Sequence, residues 1–239
     1  MNRPILLFDF DGTTCLGEGP VRLYAEAALS KLPAADRENA SRLVEGYLRG
    51  EELPDEEIND AYDLVRRLAE PVAGSEELQS AYLSSRERLG DKNCDIYPAP
   101  GIADLLSETE GRATRVLATN SPELGMHEAL DRLGLSNSFD EVHFSTGKPA
   151  GLPSLINHLL DGQPPSQLLS IGDHWKNDIA PAVAAGAGGM LITPYRVAAG
   201  PCNAFATSLV ELRVAINEWV DAPSQWLLDH PASEGSDEN

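Results

Sequence analysis

The chain has 239 residues, a length between one and two domains, and its 38 acidic and 18 basic residues give a formal net charge of −20. This acidity disfavours nucleic acid and anionic membranes as partners, and no stretch of about 18 apolar residues could span a bilayer. Three scattered cysteines suit a reducing compartment, and no signal peptide is apparent, so we expect a cytoplasmic monomer or homodimer.

The first predicted element is a buried strand that ends in two carboxylates. The apolar run Leu6–Phe8 is followed at once by Asp9, Asp11 and Gly12. This pattern is typical of a strand that stops at a tight turn. Ligands bind at that end of the strands in an open α/β sheet. Paired carboxylates there can hold a divalent cation, and one of them can act as a nucleophile.

A helical unit is predicted next, over residues 16–96. Its apolar residues recur at helical spacing in three stripes: Ala40, Leu43, Val44, Tyr47 and Leu48; Ile58, Ala61, Tyr62, Val65, Leu68 and Ala69; and Leu78, Ala81, Tyr82 and Leu89. Acidic residues at Asp55 and just after Ser75 indicate helix starts. We expect four helices, inserted between the first strand and the rest of a sheet.

Strands and helices alternate from Pro98 onward. Strands are predicted at Thr114–Ala118, Glu141–Phe144, Leu168–Ile171 and Met190–Thr193. Helices are predicted after an N-cap at Ser121 and at Pro153–Leu160, Lys176–Ala185 and Leu209–Val220. The alternation predicts an α/β fold with a Rossmann-like parallel sheet, formed by residues 1–15 and 97–222. Residues 223–239 are predicted to be an acidic, disordered tail.

Polar residues follow four of the predicted strands, at ends that meet along one edge of a parallel sheet. In chain order they are Asp9 and Asp11, Thr119 and Asn120, Lys148, and Asp173 with Asp178.

These residue types suit phosphoryl transfer. The Asp9 carboxylate can attack phosphorus and become an aspartyl-phosphate. Asp9 and Asp173 can share a Mg²⁺ ion, and Lys148 can neutralise the phosphoryl oxygens. Asp11 lies two residues from the nucleophile on the same side of an extended backbone, so it can act as general acid and base.

Other residues near the strand ends have supporting roles. The Thr119 hydroxyl and the Asn120 amide precede a predicted helix N-terminus, which favours an anion. Gly12 lets backbone amides face a phosphate, and Thr13 is expected to orient the loop. Asp178 is expected to hold Lys148 in place.

Four segments resemble, in order, the four motifs of the haloacid dehalogenase-like hydrolase superfamily. They are Asp9–Thr13, Thr119 with Asn120, Lys148 with Pro149, and Gly172 with Asp173 through Asp178. The inserted helices resemble the superfamily's type-1 cap. Tyr97–Gly101 resembles the segment that re-enters the core in phosphoglycolate-phosphatase-like members.

The resemblance implies a role for each matching residue. Asp9 matches the nucleophile, and Asp11 matches the acid/base that also offers Mg²⁺ its backbone carbonyl. Thr119 and Lys148 match phosphate-binding residues, and Asp173 matches a metal ligand. Dehalogenases of the superfamily lack a carboxylate two residues after the nucleophile and need no Mg²⁺, so Asp11 favours phosphoester chemistry.

We therefore expect a Mg²⁺-dependent phosphatase that acts on a small phosphorylated metabolite. The alternatives are a phosphomutase acting on a sugar phosphate, a 2-haloacid dehalogenase and a non-catalytic phosphate-binding protein. The chain departs from many phosphatases of this branch after Thr13, where Thr14 and Cys15 stand instead of an apolar residue. This departure bears on the substrate more than on the chemistry.

Overall fold

The computed structural model describes residues 3–51, 58, 60–193 and 199–233, which fall into two compact units. One unit, called the α/β unit below, comprises the described residues of 1–16, 97–123 and 133–239. The other, called the helical unit, comprises those of 17–96 and 124–132. Within the described ranges, no helix combines the length and the apolar character that a membrane crossing requires.

The α/β unit contains the strands. In chain order these are β1 Ile5–Phe8, β2 Cys15–Leu16, β3 Tyr97–Pro98, β4 Thr114–Ala118, β5 Glu141–His143, β6 Leu168–Gly172, β7 Gly188–Ile192 and β8 Ala204–Ala206. In the part of the chain that is described, six of them form a parallel sheet in the order β5-β4-β1-β6-β7-β8. β2 and β3 form a separate antiparallel pair.

The register of the central strands places their ends at one level. Phe8 of β1 lies opposite Leu117 of β4 on one side and Ile171 of β6 on the other. All residues of β1, β6 and β7 are buried, as expected of parallel strands covered on both faces. The loops that leave β1, β4 and β6 therefore begin side by side at the carboxyl edge of the sheet.

The helices divide between the two units. The helical unit holds α1 Gly19–Ala28, α2 Ala34–Leu48, α3 Ala61–Ala69, α4 Ser75–Glu87 and α6 Met126–Arg132. The α/β unit holds α5 Ile102–Glu108, α7 Leu152–Leu160, α8 Ala180–Ala184, α9 Leu209–Asp221 and α10 Pro223–Asp229. The expected α/β class with a Rossmann-like parallel sheet is confirmed.

The helical unit has a hydrophobic core of its own. Most of the predicted stripe residues pack into it, although Leu43 is exposed. The rings of Tyr24, Tyr62 and Tyr82 contact one another, with the three centroid pairs 5.7–6.2 Å apart. α4 begins at Ser75 as predicted, and the Gly74 N–H donates to the Glu77 carboxylate at 2.8 Å. The predicted helix start at Asp55 lies outside the described residues.

Several elements differ from the prediction. The helix after β4 begins at Met126, so Ser121 is not its N-cap. The predicted helix over Lys176–Ala185 is divided into a π-type turn, Trp175–Ile179, and the short α8. β8 was not predicted, because three half-buried residues, Ala204–Ala206, give too short a pattern to recognise.

The predicted disordered tail is wrong for its described part. Residues 223–229 form α10, and the Trp226 ring is buried and stacks on His230 with centroids 4.1 Å apart. Ser233 exchanges two backbone hydrogen bonds with Cys202. One large aromatic side chain therefore anchors a segment whose average composition is polar.

Candidate active site

The predicted site residues lie in loops at the carboxyl edge of the sheet. Asp9 follows β1, Thr119 follows β4, Lys148 lies in the loop after β5, and Asp173 follows β6. All of them belong to the α/β unit. Because β1 pairs with both β4 and β6, Asp9 leaves the sheet between the other two loops.

Lys148 connects three of these loops. Its Nζ donates to Asp9 Oδ1 at 2.5 Å, to Asp178 Oδ1 at 2.6 Å and to the Ala118 carbonyl oxygen at 2.9 Å. The side chain is 4% exposed, and its three N–H donors each have an acceptor. Burial alone would lower the pKa of Lys148, but the charges of Asp9 and Asp178 outweigh it and raise that pKa above its usual range. The ammonium is thus held charged between two carboxylates.

Three carboxylates crowd this place. Asp9, Asp173 and Asp178 bring side-chain oxygens within 4.8 Å of one another. Burial, then the charge of Asp178, raises the pKa of Asp9 well above its usual value, although Lys148 opposes this. Asp173 has an exposed edge, yet surrounding protein atoms desolvate its carboxylate and, with Asp178, raise its pKa to about 7. The single positive charge of Lys148 does not balance the negative charges of three ionised carboxylates. A bound cation would supply the missing positive charge.

The donor set suits Mg²⁺, which prefers oxygen ligands and carboxylates in particular. Asp178 has both oxygens engaged, since Oδ1 accepts from Lys148 and Oδ2 accepts from the His174 backbone N–H at 3.1 Å. Asp9 and Asp173 are therefore better placed than Asp178 to coordinate an ion. Gly12 adopts a φ of 81°, and a Cβ there would lie 2.1 Å from Asp173 Oδ2. Only glycine lets the loop pass so close to this carboxylate.

Asp11 is held by a residue that the sequence suggested for a different purpose. The Ser121 hydroxyl donates to Asp11 Oδ2 at 3.0 Å, and Ser121 is buried. Asp9 thus contacts the Lys148 ammonium, and the partners of Asp11, two residues away, include the Ser121 hydroxyl.

Thr119 and Asn120 lie where expected but differ in what they offer. The Thr119 hydroxyl oxygen accepts the Ser121 backbone N–H at 3.0 Å and keeps its own proton to donate. The Asn120 side chain pairs with the backbone of Lys148: its Nδ2 donates to the carbonyl at 2.9 Å, and its Oδ1 accepts the N–H at 2.6 Å. Asn120 Oδ1 also accepts from the Thr146 hydroxyl at 3.2 Å. The Asn120 side chain therefore fixes the Lys148 loop.

The turn after β1 is fixed by two hydroxyls. The Thr14 hydroxyl donates to the Asp9 carbonyl oxygen at 2.7 Å, and the Thr13 hydroxyl lies 3.5 Å from Asp173 Oδ1. Thr13 is fully buried, consistent with the loop-orienting role expected of it.

Sequence reasoning missed Ser121 and Thr146 as parts of this site. Both stand within two residues of a recognised motif position, which is the one signal that could have identified them.

Fold and site together define an α/β protein with a buried lysine and three clustered carboxylates at the carboxyl edge of its sheet. A family model described as haloacid dehalogenase-like hydrolase matches residues 4–186. The chain belongs to this family of hydrolases. No curated protein is similar enough to the sequence to match it.

Solved structures agree on the fold. A hydrolase of this family from Bacillus subtilis, crystallised with magnesium, superposes with a TM-score of 0.61 at 20% identity, covering 91% of this chain and 100% of its own. A protein from Thermotoga maritima that is assigned as a β-phosphoglucomutase superposes with a TM-score of 0.59 at 19% identity, covering 91% of this chain and 99% of its own. A phosphatase of the family from Thermococcus onnurineus superposes with a TM-score of 0.56 at 20% identity, covering 90% of this chain and 98% of its own. At such identities the likeness extends to the fold alone.

Proposed function

We propose that this hydrolase is a Mg²⁺-dependent phosphatase that cleaves a small phosphomonoester through an aspartyl-phosphate on Asp9. The observation that carries the proposal is the contact of Asp9 with the buried Lys148 ammonium at 2.5 Å, with Asp11 two residues further on and within 3.0 Å of the Ser121 hydroxyl. A nucleophile must be ionised when it attacks, and the Lys148 ammonium favours that state against the burial and the neighbouring carboxylates that raise the pKa of Asp9. An acid/base must exchange a proton, and a hydroxyl partner permits both of its states.

In the first step, an Asp9 carboxylate oxygen forms a bond to phosphorus while the bond from phosphorus to the ester oxygen breaks. Asp11, as the carboxylic acid, gives its proton to that oxygen, which leaves as an alcohol. The products on the protein are an acyl phosphate at Asp9 and a carboxylate at Asp11.

In the second step, a water molecule attacks the same phosphorus. Asp11 takes one proton from the water as the new bond forms and the Asp9–phosphorus bond breaks. Inorganic phosphate leaves, Asp9 is again a carboxylate, and Asp11 is again an acid.

The remaining residues hold the phosphoryl group and the carboxylates in place. Lys148 offsets the charge on the phosphoryl oxygens, and the Thr119 hydroxyl is the proposed further donor. The Gly12 N–H, expected to face a phosphate, donates instead to the Cys15 carbonyl oxygen at 2.9 Å. Asp9 and Asp173, with the Asp11 backbone carbonyl, would hold Mg²⁺, and Asp178 would keep Lys148 oriented. When bound, the ion supplies positive charge that offsets repulsion between the nucleophile and the phosphate.

The proposed substrate is small because a net charge of −20 disfavours polyanionic macromolecules. A phosphomutase would use the same first step and then return the phosphoryl group to a second hydroxyl of the sugar. Release of inorganic phosphate from hexose phosphates separates the two, since a mutase would release little.

The proposal is tested with Asp9→Asn, assayed on p-nitrophenyl phosphate with and without Mg²⁺. We expect the wild type to turn over only with Mg²⁺ and the variant to lose all turnover while its circular dichroism spectrum is unchanged. Asp104→Asn, at an exposed aspartate of α5, is the matched control and should behave as wild type. Wild-type turnover by Asp9→Asn would refute the nucleophile, and halide release from 2-haloacids would instead indicate a dehalogenase.

Two further measurements address the ion and the intermediate. Asp173→Ala should weaken Mg²⁺ binding in calorimetry, and unchanged affinity would remove Asp173 from the ligand set. Beryllium fluoride with Mg²⁺ should inhibit by mimicking the acyl phosphate, and failure to inhibit would indicate different chemistry.

A further inference from the structure

We propose that Ser121 is the positioning residue for Asp11: its buried hydroxyl fixes the direction in which the acid/base carboxylate points. The inference rests on the proposed function for the role of Asp11, but the contact itself is observed directly. Ser121 Oγ lies 3.0 Å from Asp11 Oδ2, although the two residues are 110 positions apart in the chain.

The main chain of Ser121 is held on both sides, so the position of its hydroxyl is determined. Its N–H donates to the Thr119 hydroxyl oxygen at 3.0 Å, and its carbonyl oxygen accepts the Ser145 N–H at 2.9 Å. The following residue is Pro122, which restricts the backbone of Ser121 to extended conformations. Ser121 is 2% exposed, so its side chain is packed among protein atoms.

The ordinary role for a serine before Pro122 and Glu123 is a helix N-cap, and the structure rules that role out. The next helix, α6, begins at Met126, five residues later. The Ser121 side chain instead reaches across the carboxyl edge of the sheet, from the β4 loop to the β1 loop. Its hydrogen bond therefore links two catalytic loops and caps no helix.

A hydroxyl is suited to orienting a group that exchanges a proton. It can donate to a carboxylate, as it does here, and it can accept from a carboxylic acid. A lysine in its place, such as the one on Asp9, would favour only the ionised state. Ser121 can therefore keep Asp11 in one orientation through both steps of the proposed reaction.

The test compares Ser121→Ala with Ser121→Thr, which keeps the hydroxyl, on two substrates that differ in leaving group. p-Nitrophenolate leaves readily without a proton, whereas phenolate gains much more from a general acid. We expect Ser121→Ala to lower kcat/KM at least about 10-fold for phenyl phosphate and at most about 3-fold for p-nitrophenyl phosphate. Ser121→Thr should restore the wild-type ratio.

If Ser121 had only a structural role, Ser121→Ala would lower kcat/KM equally for phenyl phosphate and p-nitrophenyl phosphate. That outcome would overturn the proposal. The double variant Ser121→Ala/Asp11→Asn gives a further control, because an effect exerted through Asp11 must vanish once Asp11 is replaced. An undiminished effect of Ser121→Ala in that background would also count against it.

A readout that needs no activity separates this inference from the proposed function. Crystal structures of the wild type and of Ser121→Ala should show the Asp11 carboxylate in different rotamers. An unmoved carboxylate overturns the positioning role even in an active enzyme. A moved carboxylate supports it even if the wild type hydrolyses no phosphoester, in which case the proposed function alone has failed.

Discussion

A group of ion pairs in the α/β unit and an ion pair in the helical unit differ in how far water reaches them. In the α/β unit the charged side chains Lys148, Asp178 and Arg115 are buried and paired with several partners. In the helical unit the ion pair Arg22–Glu45 lies at the surface, with side chains that are 42% and 39% exposed. Buried pairs are costly to break, whereas exposed pairs contribute little to stability.

The comparison shows where the chemistry can lie. A buried ion pair is no reliable source of stability, so its presence needs another explanation. At Lys148 that explanation is the site: the lysine fixes Asp9 and Asp178 in the loops after β1 and β6. The pair Arg22–Glu45, in contrast, joins exposed side chains of α1 and α2.

Removal of Lys148 should give the largest effect. Lys148→Met keeps the length of the side chain but leaves two buried carboxylates without their cation. We expect turnover of p-nitrophenyl phosphate to fall about 100- to 1,000-fold and the free energy of unfolding in urea to fall by about 3–5 kcal/mol.

The matched control for Lys148→Met is Lys176→Met, since Lys176 is an exposed lysine of the loop after β6. It should retain wild-type turnover and stability. Equal effects of the two substitutions would remove the distinction between buried and exposed charge.

Asn120→Ala should give the next effect, because it removes the amide that holds both the N–H and the carbonyl of Lys148. Loosening the loop should lower kcat about 10- to 100-fold while costing about 1–3 kcal/mol in unfolding free energy. Asn157→Ala, on α7 in the same unit, is the control and should change neither. Wild-type kcat for Asn120→Ala would mean that Lys148 is positioned without this amide.

Much of this site was predictable because local pattern and topology agree there. Apolar runs mark β1, β4 and β6, and the polar residue that follows each run must lie at the carboxyl edge of a parallel sheet. Asp9, Thr119 and Asp173 therefore follow from the sequence.

The side-chain partners were not predictable from local pattern. Ser121, followed by Pro122 and Glu123, has the local pattern of a helix start, but a hydrogen bond to a residue 110 positions away decides its role. The segment 124–132 groups with the helical unit, and Gly125 passes so close to the Arg86 carbonyl oxygen that a Cβ would lie 1.9 Å from it. Neither contact can be predicted from the spacing of residues in the sequence.

The pair Arg115–Asp140 tests a buried charge outside the site. The Arg115 side chain is 7% exposed and donates to both oxygens of Asp140, each at 3.0 Å. These hydrogen bonds hold the pKa of Asp140 below its usual value. A carboxylate with a lowered folded-state pKa stabilises the protein above its unfolded pKa of about 3.9 and loses that contribution as the pH falls below it.

Asp140→Asn should therefore cost about 1–3 kcal/mol of unfolding free energy at pH 7, and the difference from the wild type should shrink as the pH falls from about 5 to 3. Urea unfolding of the wild type and of Asp140→Asn between about pH 5 and pH 3 measures this difference in unfolding free energy. A difference that is constant with pH would mean that the charge of Asp140 contributes nothing.

Arg22→Ala should give the smallest effect and completes the comparison from the helical unit. Arg22 bonds Glu45 through two nitrogens, at 2.9 and 3.2 Å, and lies 3.4 Å from Asp95, but solvent reaches all three side chains. Water and salt screen such a network, so a double-mutant cycle of Arg22→Ala with Glu45→Ala should give a coupling of about 0.2–1 kcal/mol that declines in 1 M KCl. A salt-insensitive coupling above about 3 kcal/mol would place this pair with the buried ones, and charge burial would then not distinguish the two units.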